Sequence, residues 1–270
     1  MSEGAQGRAE ILNLLDRHGL SPRKVLGQHF LADPNIVRRI VALADVGPAD
    51  RVVEIGAGTG TLTKALAAAG ADVVAYEVDE RLRSLLEAEV GALAEVRYED
   101  AAQVDLAVAL VDGPWTMVAN LPYQVGTTVL LDAVAGAGQI EAFVVMVQRE
   151  VADRLLATPG SKTYGLPSIV AGLYCDIEFG FAVGPKVFVP SPNVDSAVIR
   201  LLRTAPPSPQ RSQAAHIASV AFGQRRKMLR SSLRSAFDDP VAILHEAGID
   251  PTARPEELAP EAFLELADAG

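Results

Sequence analysis

Four consecutive residues, Asn120–Tyr123, carry groups that could activate an amine attached to a flat heterocycle. Such an amine is a poor nucleophile because its lone pair is delocalised into the ring. Two acceptors facing its N–H groups, the Asn120 side-chain oxygen and a rigid backbone carbonyl near Pro122, would favour a pyramidal and more nucleophilic nitrogen. Tyr123 offers an aromatic face on which an unstacked base could lie. The alternative explanation is a strand end followed by an ordinary proline turn.

A glycine-rich segment, Val53–Gly60, predicts a ligand-binding loop between a strand and a helix. Glycines such as Gly56 and Gly58 let the backbone turn tightly and let a ligand approach without a Cβ in the way. The pattern is only moderately specific, since nicotinamide enzymes share it.

Two acidic residues at predicted strand ends extend the same site. Glu77 ends the second strand, where a carboxylate can accept from both ribose hydroxyls of a nucleoside, and Asp100 ends the third, where it could accept from an adenine amine. A solvated strand end or a helix cap is the alternative for each acid taken singly. Because ligands of open α/β sheets bind at the carboxyl ends of the strands, the set predicts a nucleoside cofactor site.

Short apolar runs alternate with helical patterns from about residue 51, which indicates a parallel sheet with crossover helices. The sequence predicts strands over 51–56, 72–79, 95–100, 115–123 (its end a loop) and 141–148, helices over 61–70, 80–91 and 149–157, and β-like runs over 173–183 and 196–203. The proline-rich stretch 204–210 is typical of a linker, and the patterns beyond it are helical, with a helix start at Pro260. We expect an α/β fold with a Rossmann-like catalytic domain over 1–204, carrying an N-terminal helical extension, and a small all-α domain over 205–270.

The composition is that of an ordinary globular protein, with 49% hydrophobic and 21% charged residues among 270. No stretch approaches the roughly 18 uninterrupted apolar residues of a membrane span. The N-terminus predicts an amphipathic helix rather than a secretion signal, and the single cysteine, Cys175, permits no disulfide within the chain. We therefore expect a cytoplasmic protein.

The net charge of −10 argues against a nucleic-acid partner, but the charge is unevenly distributed. Residues 238–270 alone carry a net charge of −8. Residues 221–237, in contrast, contain no acidic residue and five basic ones: Arg225, Arg226, Lys227, Arg230 and Arg234. A local cluster of this kind suits RNA phosphates, although a solvated helix face is the alternative. His18, His216 and His245 lack metal-ligand spacing, so we expect no metal site.

Five motifs resemble those of the rRNA adenine N6-dimethyltransferase family, in its small-subunit branch. They are the N-terminal motif Gly27–Leu31, the glycine loop Val53–Thr63, the reaction motif Asn120–Tyr123, a second aromatic motif Val187–Val198, and Ala221–Lys227 at the start of the helical domain. The resemblance implies a class I methyltransferase sheet and S-adenosylmethionine as cofactor. It also implies dimethylation of two adjacent adenosines near the 3′ end of 16S rRNA within assembling 30S subunits. We expect no membrane partner and a monomer.

Carried over by position, the resemblance implies cofactor contacts from a set of residues around the predicted strand ends: His29, Leu31, Gly56, Gly58, Glu77, Asp100 and Asn120. It further implies that Phe188 stacks on the target base opposite Tyr123. Flanking prolines and Ser191 favour an exposed loop at Phe188, with a core position on an irregular strand as the alternative.

Two positions depart from the family pattern. His29 stands where the family more often has Asn, and Gln124–Thr127 stands where it often has Asn-Ile-Ser-Thr. A histidine can also hydrogen-bond at the first position. The second departure lies next to the predicted target-base pocket.

Three other functions stay open. A resistance-type enzyme of the same family would act on 23S rRNA, but the length of the Phe188 motif and the segment Ala221–Lys227 favour the small-subunit branch. A non-catalytic RNA-binding assembly factor would not need Glu77, Asn120 and Tyr123 intact, although an added role in assembly is compatible with catalysis. A nicotinamide oxidoreductase would explain the glycine loop but not Asn120–Tyr123.

Overall fold

The computed structural model describes residues 6–270, so the part of the predicted N-terminal helix on residues 1–5 lies outside the described residues. The chain forms two compact units. The first comprises the chain up to Ala152 together with Glu178–Leu202, and the second comprises Asp153–Ile177 together with Arg203–Gly270. The sequence predicts one boundary at residue 204. The main segment of the second unit begins close to it, but residues 153–177 also group with that unit.

The strands of residues 6–270 form two sheets. They are β1 (Phe30–Leu31), β2 (Arg51–Ile55), β3 (Asp72–Tyr76), β4 (Glu95–Arg97), β5 (Trp115–Asn120), β6 (Ile140–Gln148), β7 (Cys175–Val183), β8 (Phe188–Val189) and β9 (Ser196–Arg203). The large sheet has the order β4-β3-β2-β5-β6-β9-β7, and β1 pairs with β8 separately. Neighbours from β4 to β6 are parallel, while β9 runs antiparallel to β6. The predicted α/β fold with a Rossmann-like sheet is confirmed.

The order of the strands creates a binding position. Strand β3 lies next to β2 on one side within the sheet, and β5, which comes later in the chain, lies next to β2 on the other side. At such a point the loops after the two central strands diverge, and a crevice opens at their carboxyl ends. The predicted glycine loop follows β2 and the reaction motif ends β5, so the topology places both at this crevice.

Helices cover the sheet of the first unit: α1 (Arg8–Arg17), α2 (Pro34–Ala44), α3 (Thr61–Ala68), α4 (Arg83–Val90), α5 (Leu106–Ala109) and α6 (Gly126–Gly136), with α7 (Arg149–Leu155) leading into the second unit. Local chemistry sets where they begin. Before α2, the Asp33 side chain accepts from the N–H groups of Asn35 and Ile36, and Pro34 occupies the first turn. Within residues 6–270, every helix is too short or too polar to cross a membrane.

The core of the first unit lies between these helices and the sheet. Strands β5 and β6 are apolar along most of their length because both faces of a parallel sheet are covered. Fully buried members of one cluster come from α2, α3, β2, β5 and β6: Val37, Ile40, Leu66, Val52, Val118, Val144 and Met146. This packing fixes the strand ends that carry the polar residues of the crevice.

Apart from the strand ends Cys175–Ile177 and Arg203, the regular elements of the second unit are helices, and residues 205–270 contain no strand, as the sequence predicts. Its helices are α8 (Leu166–Gly172), α9 (Pro209–Gly223), α10 (Leu229–Ser232), α11 (Pro240–Glu246) and α12 (Pro260–Ala269). Ile217 of α9 and Phe263 of α12 are fully buried. The sequence predicts no helix between 157 and 173, so α8 was missed.

Candidate active site

A cleft with a volume of about 280 Å³ lies at the carboxyl ends of the central strands. It is lined by residues 25–31, 54–59, 76–78, 99–102 and 120–125, together with Thr61, Leu62 and Val129. These residues all belong to the first unit. The volume is close to the lower end of the roughly 300–1,000 Å³ found for small-molecule pockets. The crevice predicted from the strand order is therefore a cavity of ligand size.

The glycine loop has the backbone conformation that its sequence requires. Gly56, Gly58 and Gly60 have φ values of 84°, 57° and 75°, in the left-handed region that favours glycine. A Cβ at Gly58 would lie 3.1 Å from the Phe30 ring, and one at Gly60 would lie 2.8 Å from Val90. Gly56 and Gly58 both line the cleft. Only a residue without a side chain fits this loop at its closest approaches.

Glu77 is anchored directly after β3. Its Oε2 accepts from the Gly58 N–H at 2.8 Å, and its Oε1 accepts from the Asp79 N–H at 2.9 Å. The side chain is 5% exposed, and burial raises the pKa of its carboxyl, while the two backbone hydrogen bonds oppose that shift. Glu77 therefore faces the cleft in a fixed orientation, at the position predicted from the end of the strand.

Glu54 is a second buried acid in the cleft and is not among the site residues predicted from the sequence. It lies in β2, is 1% exposed, and accepts a 2.6 Å hydrogen bond from the Thr63 hydroxyl. The pKa of Glu54 is raised to about 8. Burial is the main cause and the nearby Glu77 adds to it, while the hydrogen bond from Thr63 acts in the opposite direction. The signal was available, because an acid inside the apolar run of a buried strand is unusual.

Asp100 lies in the loop after β4, lines the cleft and is exposed. Its Oδ1 accepts from the Ala102 N–H at 3.0 Å. The residue thus combines both alternatives that the sequence left open, since it stabilises its own turn and also faces the cleft.

The segment before β1 closes one side of the cleft. Leu31 lines it from β1, and the Gln28 side chain donates to the Asp79 carboxylate at 3.0 Å. Asp79 also binds the Arg81 side chain at 2.7 Å, which lowers the pKa of its carboxyl. Gln28 lies in the predicted N-terminal motif, but its bond to Asp79 has no signal in the sequence, because no spacing pattern relates two residues so far apart.

The reaction motif lies at the same cleft. Asn120 Nδ2 donates to the His29 carbonyl oxygen at 3.0 Å. The Tyr123 hydroxyl is 2.7 Å from the Ser196 hydroxyl, and the Pro122 carbonyl accepts from the Gly126 N–H at 2.7 Å. All four motif residues line the cavity. The motif is therefore not an ordinary strand end packed into the interior.

His29 completes this part of the site. Its ring stacks on that of Tyr123, with centroids 5.4 Å apart, and its Nδ1 donates to the Pro190 carbonyl oxygen at 2.7 Å. Because a carbonyl oxygen can only accept, Nδ1 must carry the proton of this bond. Ser196 and Pro190 come from the second aromatic motif, so that motif reaches the cleft through hydrogen bonds.

Phe188 does not line the cleft, and the expectation that it lies exposed is wrong: it occupies the alternative core position, and the exposed residues of the motif follow it, Ser191 and 193–195. The residue is fully buried in the core of the first unit. It pairs with Leu31 between β8 and β1, and this strand pairing turns the side chain inward. Its carbonyl oxygen accepts from Arg8 at 3.0 Å. Stacking of Phe188 on a target base stays a prediction, one that requires the ring to leave this core.

The basic residues predicted to bind RNA belong to the second unit and fall into two groups. Arg225 forms an ion pair with Glu256 at 2.5 Å and donates to the Lys162 carbonyl oxygen at 3.3 Å. The remaining four are exposed: Arg226, Lys227, Arg230 and Arg234. Arg225 is thus held by an acid of the C-terminal segment, while the other four lie at the surface. No group of three or more potential metal ligands occurs within residues 6–270.

Comparison with known proteins adds the family. A model of the family "Ribosomal RNA adenine dimethylase" matches residues 19–269. A protein of Phenylobacterium zucineum named "Ribosomal RNA small subunit methyltransferase A" is 44% identical over 94% of this chain and 90% of its own length. One of Cutibacterium acnes with the same name is 46% identical over 96% of this chain and 92% of its own.

The chain belongs to the ribosomal RNA adenine dimethylase family. Solved structures agree with its fold. A dimethyladenosine transferase from Plasmodium falciparum is similar with a TM-score of 0.74 and 23% identity, over 88% of this chain and 96% of that one. The 23S rRNA methyltransferase ErmE is similar with a TM-score of 0.66 and 28% identity, over 89% of this chain and 98% of that one. The predicted class I methyltransferase sheet is confirmed.

S-adenosylmethionine is the cofactor of this family, and the cleft fits it. Gly56 and Gly58 line it without a Cβ, at φ values that favour glycine, so a ligand can approach their backbone closely. The anchored carboxylate of Glu77 stands beside them, where it would accept from ribose hydroxyls. These two features would hold the nucleoside part of the cofactor.

Proposed function

We propose that this protein is an S-adenosylmethionine-dependent adenine N6-dimethyltransferase of small-subunit rRNA. The observation that carries the proposal is the orientation of Asn120 in the cleft. Its amide nitrogen is used by the His29 carbonyl, so its oxygen is the group left to accept from a substrate amine. An rRNA substrate follows from the family, and the small-subunit substrate is suggested by the names of the relatives at 44–46% identity.

The residues around Asn120 supply the other requirements of the reaction. The Pro122 carbonyl closes a turn with Gly126, so the preceding carbonyl, of Leu121, would be the acceptor for the second N–H of an adenine amine. Tyr123, tethered through its hydroxyl to Ser196, offers its ring face to the base. Two acceptors and one aromatic face define the position of a flipped adenine.

The bound cofactor would supply an activated methyl group on a sulfonium. The chain's own contribution is then to orient the amine and to favour its pyramidal form, since positioning alone can contribute several powers of ten to a rate. No side chain is required to remove a proton from the amine before transfer. The proton leaves after the new N–C bond has formed.

The finer substrate assignment is also part of the proposal. We propose two adjacent adenosines near the 3′ end of 16S rRNA, each receiving two methyl groups within 30S subunits, and a chain that acts as a cytoplasmic monomer. Four exposed basic residues would contact rRNA phosphates: Arg226, Lys227, Arg230 and Arg234. An added role in subunit assembly would use the same RNA contacts.

Methyl incorporation into defined substrates tests the proposal. The protein should methylate undermethylated 30S subunits and leave naked 23S rRNA unmodified, and nucleoside mass spectrometry should identify N6,N6-dimethyladenosine. Because ErmE is similar in structure, methylation of 23S rRNA alone would assign the chain to the 23S branch. Binding to 30S without methylation would indicate a non-catalytic assembly factor.

A further inference from the structure

His29 contacts three residues of the active site, two in the reaction motif and one in the second aromatic motif. Its main-chain oxygen accepts from the Asn120 side chain at 3.0 Å. Its ring stacks on Tyr123 at 5.4 Å between centroids, with an angle of 29° between the ring planes. Its Nδ1 donates to the Pro190 carbonyl oxygen at 2.7 Å. The two residues of the reaction motif that would hold the base therefore both contact this one histidine.

The ring of His29 is fixed in two directions. The bond from Nδ1 to Pro190 sets its rotation and its tautomer. The stack against Tyr123 prevents a tilt away from the cleft. On the following residues, the pairing of β1 with β8 holds the main chain. The main-chain carbonyl of His29, which accepts from Asn120, is thus restrained by the contacts of the His29 ring and by the strand that follows.

This arrangement suggests a role beyond the cofactor contact that the resemblance implies. An asparagine at this position could donate to the Pro190 carbonyl but would have no ring to place on Tyr123. The histidine ring stacks on Tyr123, whose hydroxyl is bonded to Ser196, so the tyrosine is restrained at its ring and at its hydroxyl. The side chain of His29 therefore bears on the geometry of the residues that would bind the base.

We propose that His29 is a positioning residue for methyl transfer, which holds Asn120 and Tyr123 in the orientation that receives the target adenine. This inference rests on the proposed function. It assigns to His29 an effect on the rate of the bound complex, whereas a cofactor ligand would mainly affect cofactor affinity. The two roles differ in what a substitution changes.

Three variants of the full chain separate the contacts. His29→Ala removes both ring contacts, His29→Asn keeps a donor for Pro190, and His29→Phe keeps a ring for Tyr123. With saturating cofactor and 30S substrate, His29→Ala should lower the single-turnover rate by about 10- to 100-fold, since small misplacements cost about that much. This loss should persist when the cofactor concentration saturates each variant, with cofactor affinity measured by calorimetry. His29→Asn and His29→Phe should each recover part of the rate.

The matched control is His18→Ala, which changes a half-buried histidine that is hydrogen-bonded to Ser84 and does not line the cleft. It should leave rate and affinity unchanged. A normal rate in His29→Ala would overturn the proposal, and so would a loss that higher cofactor concentration restores. Failure of the wild-type protein to methylate any rRNA would instead count against the proposed function.

A second measurement is independent of catalysis. In NMR spectra, the side-chain amide protons of Asn120 should shift and exchange faster with water in His29→Ala but not in His18→Ala. Nitrogen spectra of the wild-type imidazole should show the proton on Nδ1. Unchanged Asn120 signals in His29→Ala would overturn the positioning role even if the variant had lost activity for another reason.

Discussion

The contacts that hold the two sides of the cleft differ in how far apart their residues lie in the sequence. On the glycine-loop side, Glu77 accepts from Gly58, 19 residues away, and from Asp79, two residues away. On the reaction-motif side, Asn120 contacts His29 across 91 residues and Tyr123 contacts Ser196 across 73. His29 in turn contacts Pro190 across 161. The contacts that hold Glu77 lie within the segment from β2 to the loop after β3, whereas those that hold the reaction motif come from distant parts of the chain.

This difference has a physical consequence for the chemistry. The glycine-loop side needs only local backbone geometry, which many nucleotide-binding enzymes share. The reaction-motif side needs several distant segments to meet with an accuracy of a fraction of an ångström. Substitutions on the second side should therefore affect the rate of reaction, whereas those on the first should affect cofactor affinity and stability.

The largest effect is expected for Asn120→Ala. Loss of the side-chain acceptor should lower the single-turnover rate at saturating cofactor by about 100-fold or more. Binding to 30S, measured by cosedimentation, should stay within about 2-fold of wild type, since phosphate contacts dominate RNA affinity. Asn35→Ala, at an exposed asparagine of α2, is the control. An active Asn120→Ala protein would contradict the assignment of the reaction motif.

A smaller effect, on the other side of the cleft, is expected for Gly58→Ala. The added Cβ would lie 3.1 Å from Phe30 at a φ of +57°, so the loop must shift. We expect destabilisation of about 1–2 kcal/mol and cofactor binding weaker by about 10-fold, a factor worth about 1.4 kcal/mol. Gly47→Ala, where no atom lies within 4 Å of the added Cβ, should bind cofactor normally. Normal affinity in Gly58→Ala would show that the cofactor does not approach this loop.

The range of the contacts also explains which site residues the sequence predicts. The glycine loop, Glu77 and Asp100 follow from alternation of strands and helices, because parallel strands bring their ends together. The stacking of His29 on Tyr123 and the bond from Tyr123 to Ser196 do not, since no periodicity relates residues so far apart. Phe188 shows the same limit, because the pairing of β1 with β8 decides that its side chain is buried.

The fold shows a similar division. The apolar runs predict the strands of the large sheet to within a few residues, since burial on both faces leaves a clear signal. Helix α8 was missed because it is short and carries a proline in its first turn, which weakens the helical pattern. The grouping of Asp153–Ile177 with the C-terminal segment depends on tertiary contacts that the sequence pattern does not contain.

Glu54 lies on the glycine-loop side, yet its pKa depends on burial in the assembled fold and not on local backbone geometry. Its pKa is raised from the ordinary value of 4.5 to about 8, first by burial and further by Glu77. Between those pH values the folded protein holds a proton that the unfolded chain has lost, so folding takes up a proton and rising pH opposes it. The contribution of Glu54 to stability is therefore fully present below about pH 4.5 and is lost as the pH rises to about 8.

Thermal melting of the free protein from about pH 5 to about pH 9 measures this loss. The wild-type melting temperature should fall by several degrees more over this range than that of Glu54→Gln, because a glutamine keeps the size of the side chain and an acceptor for Thr63 but cannot ionise. Glu141→Gln, at an exposed acid of β6, should follow the wild-type curve. Parallel curves for wild type and Glu54→Gln would mean that water reaches the Glu54 carboxylate, and the glycine-loop side would then be more open than its buried acids indicate.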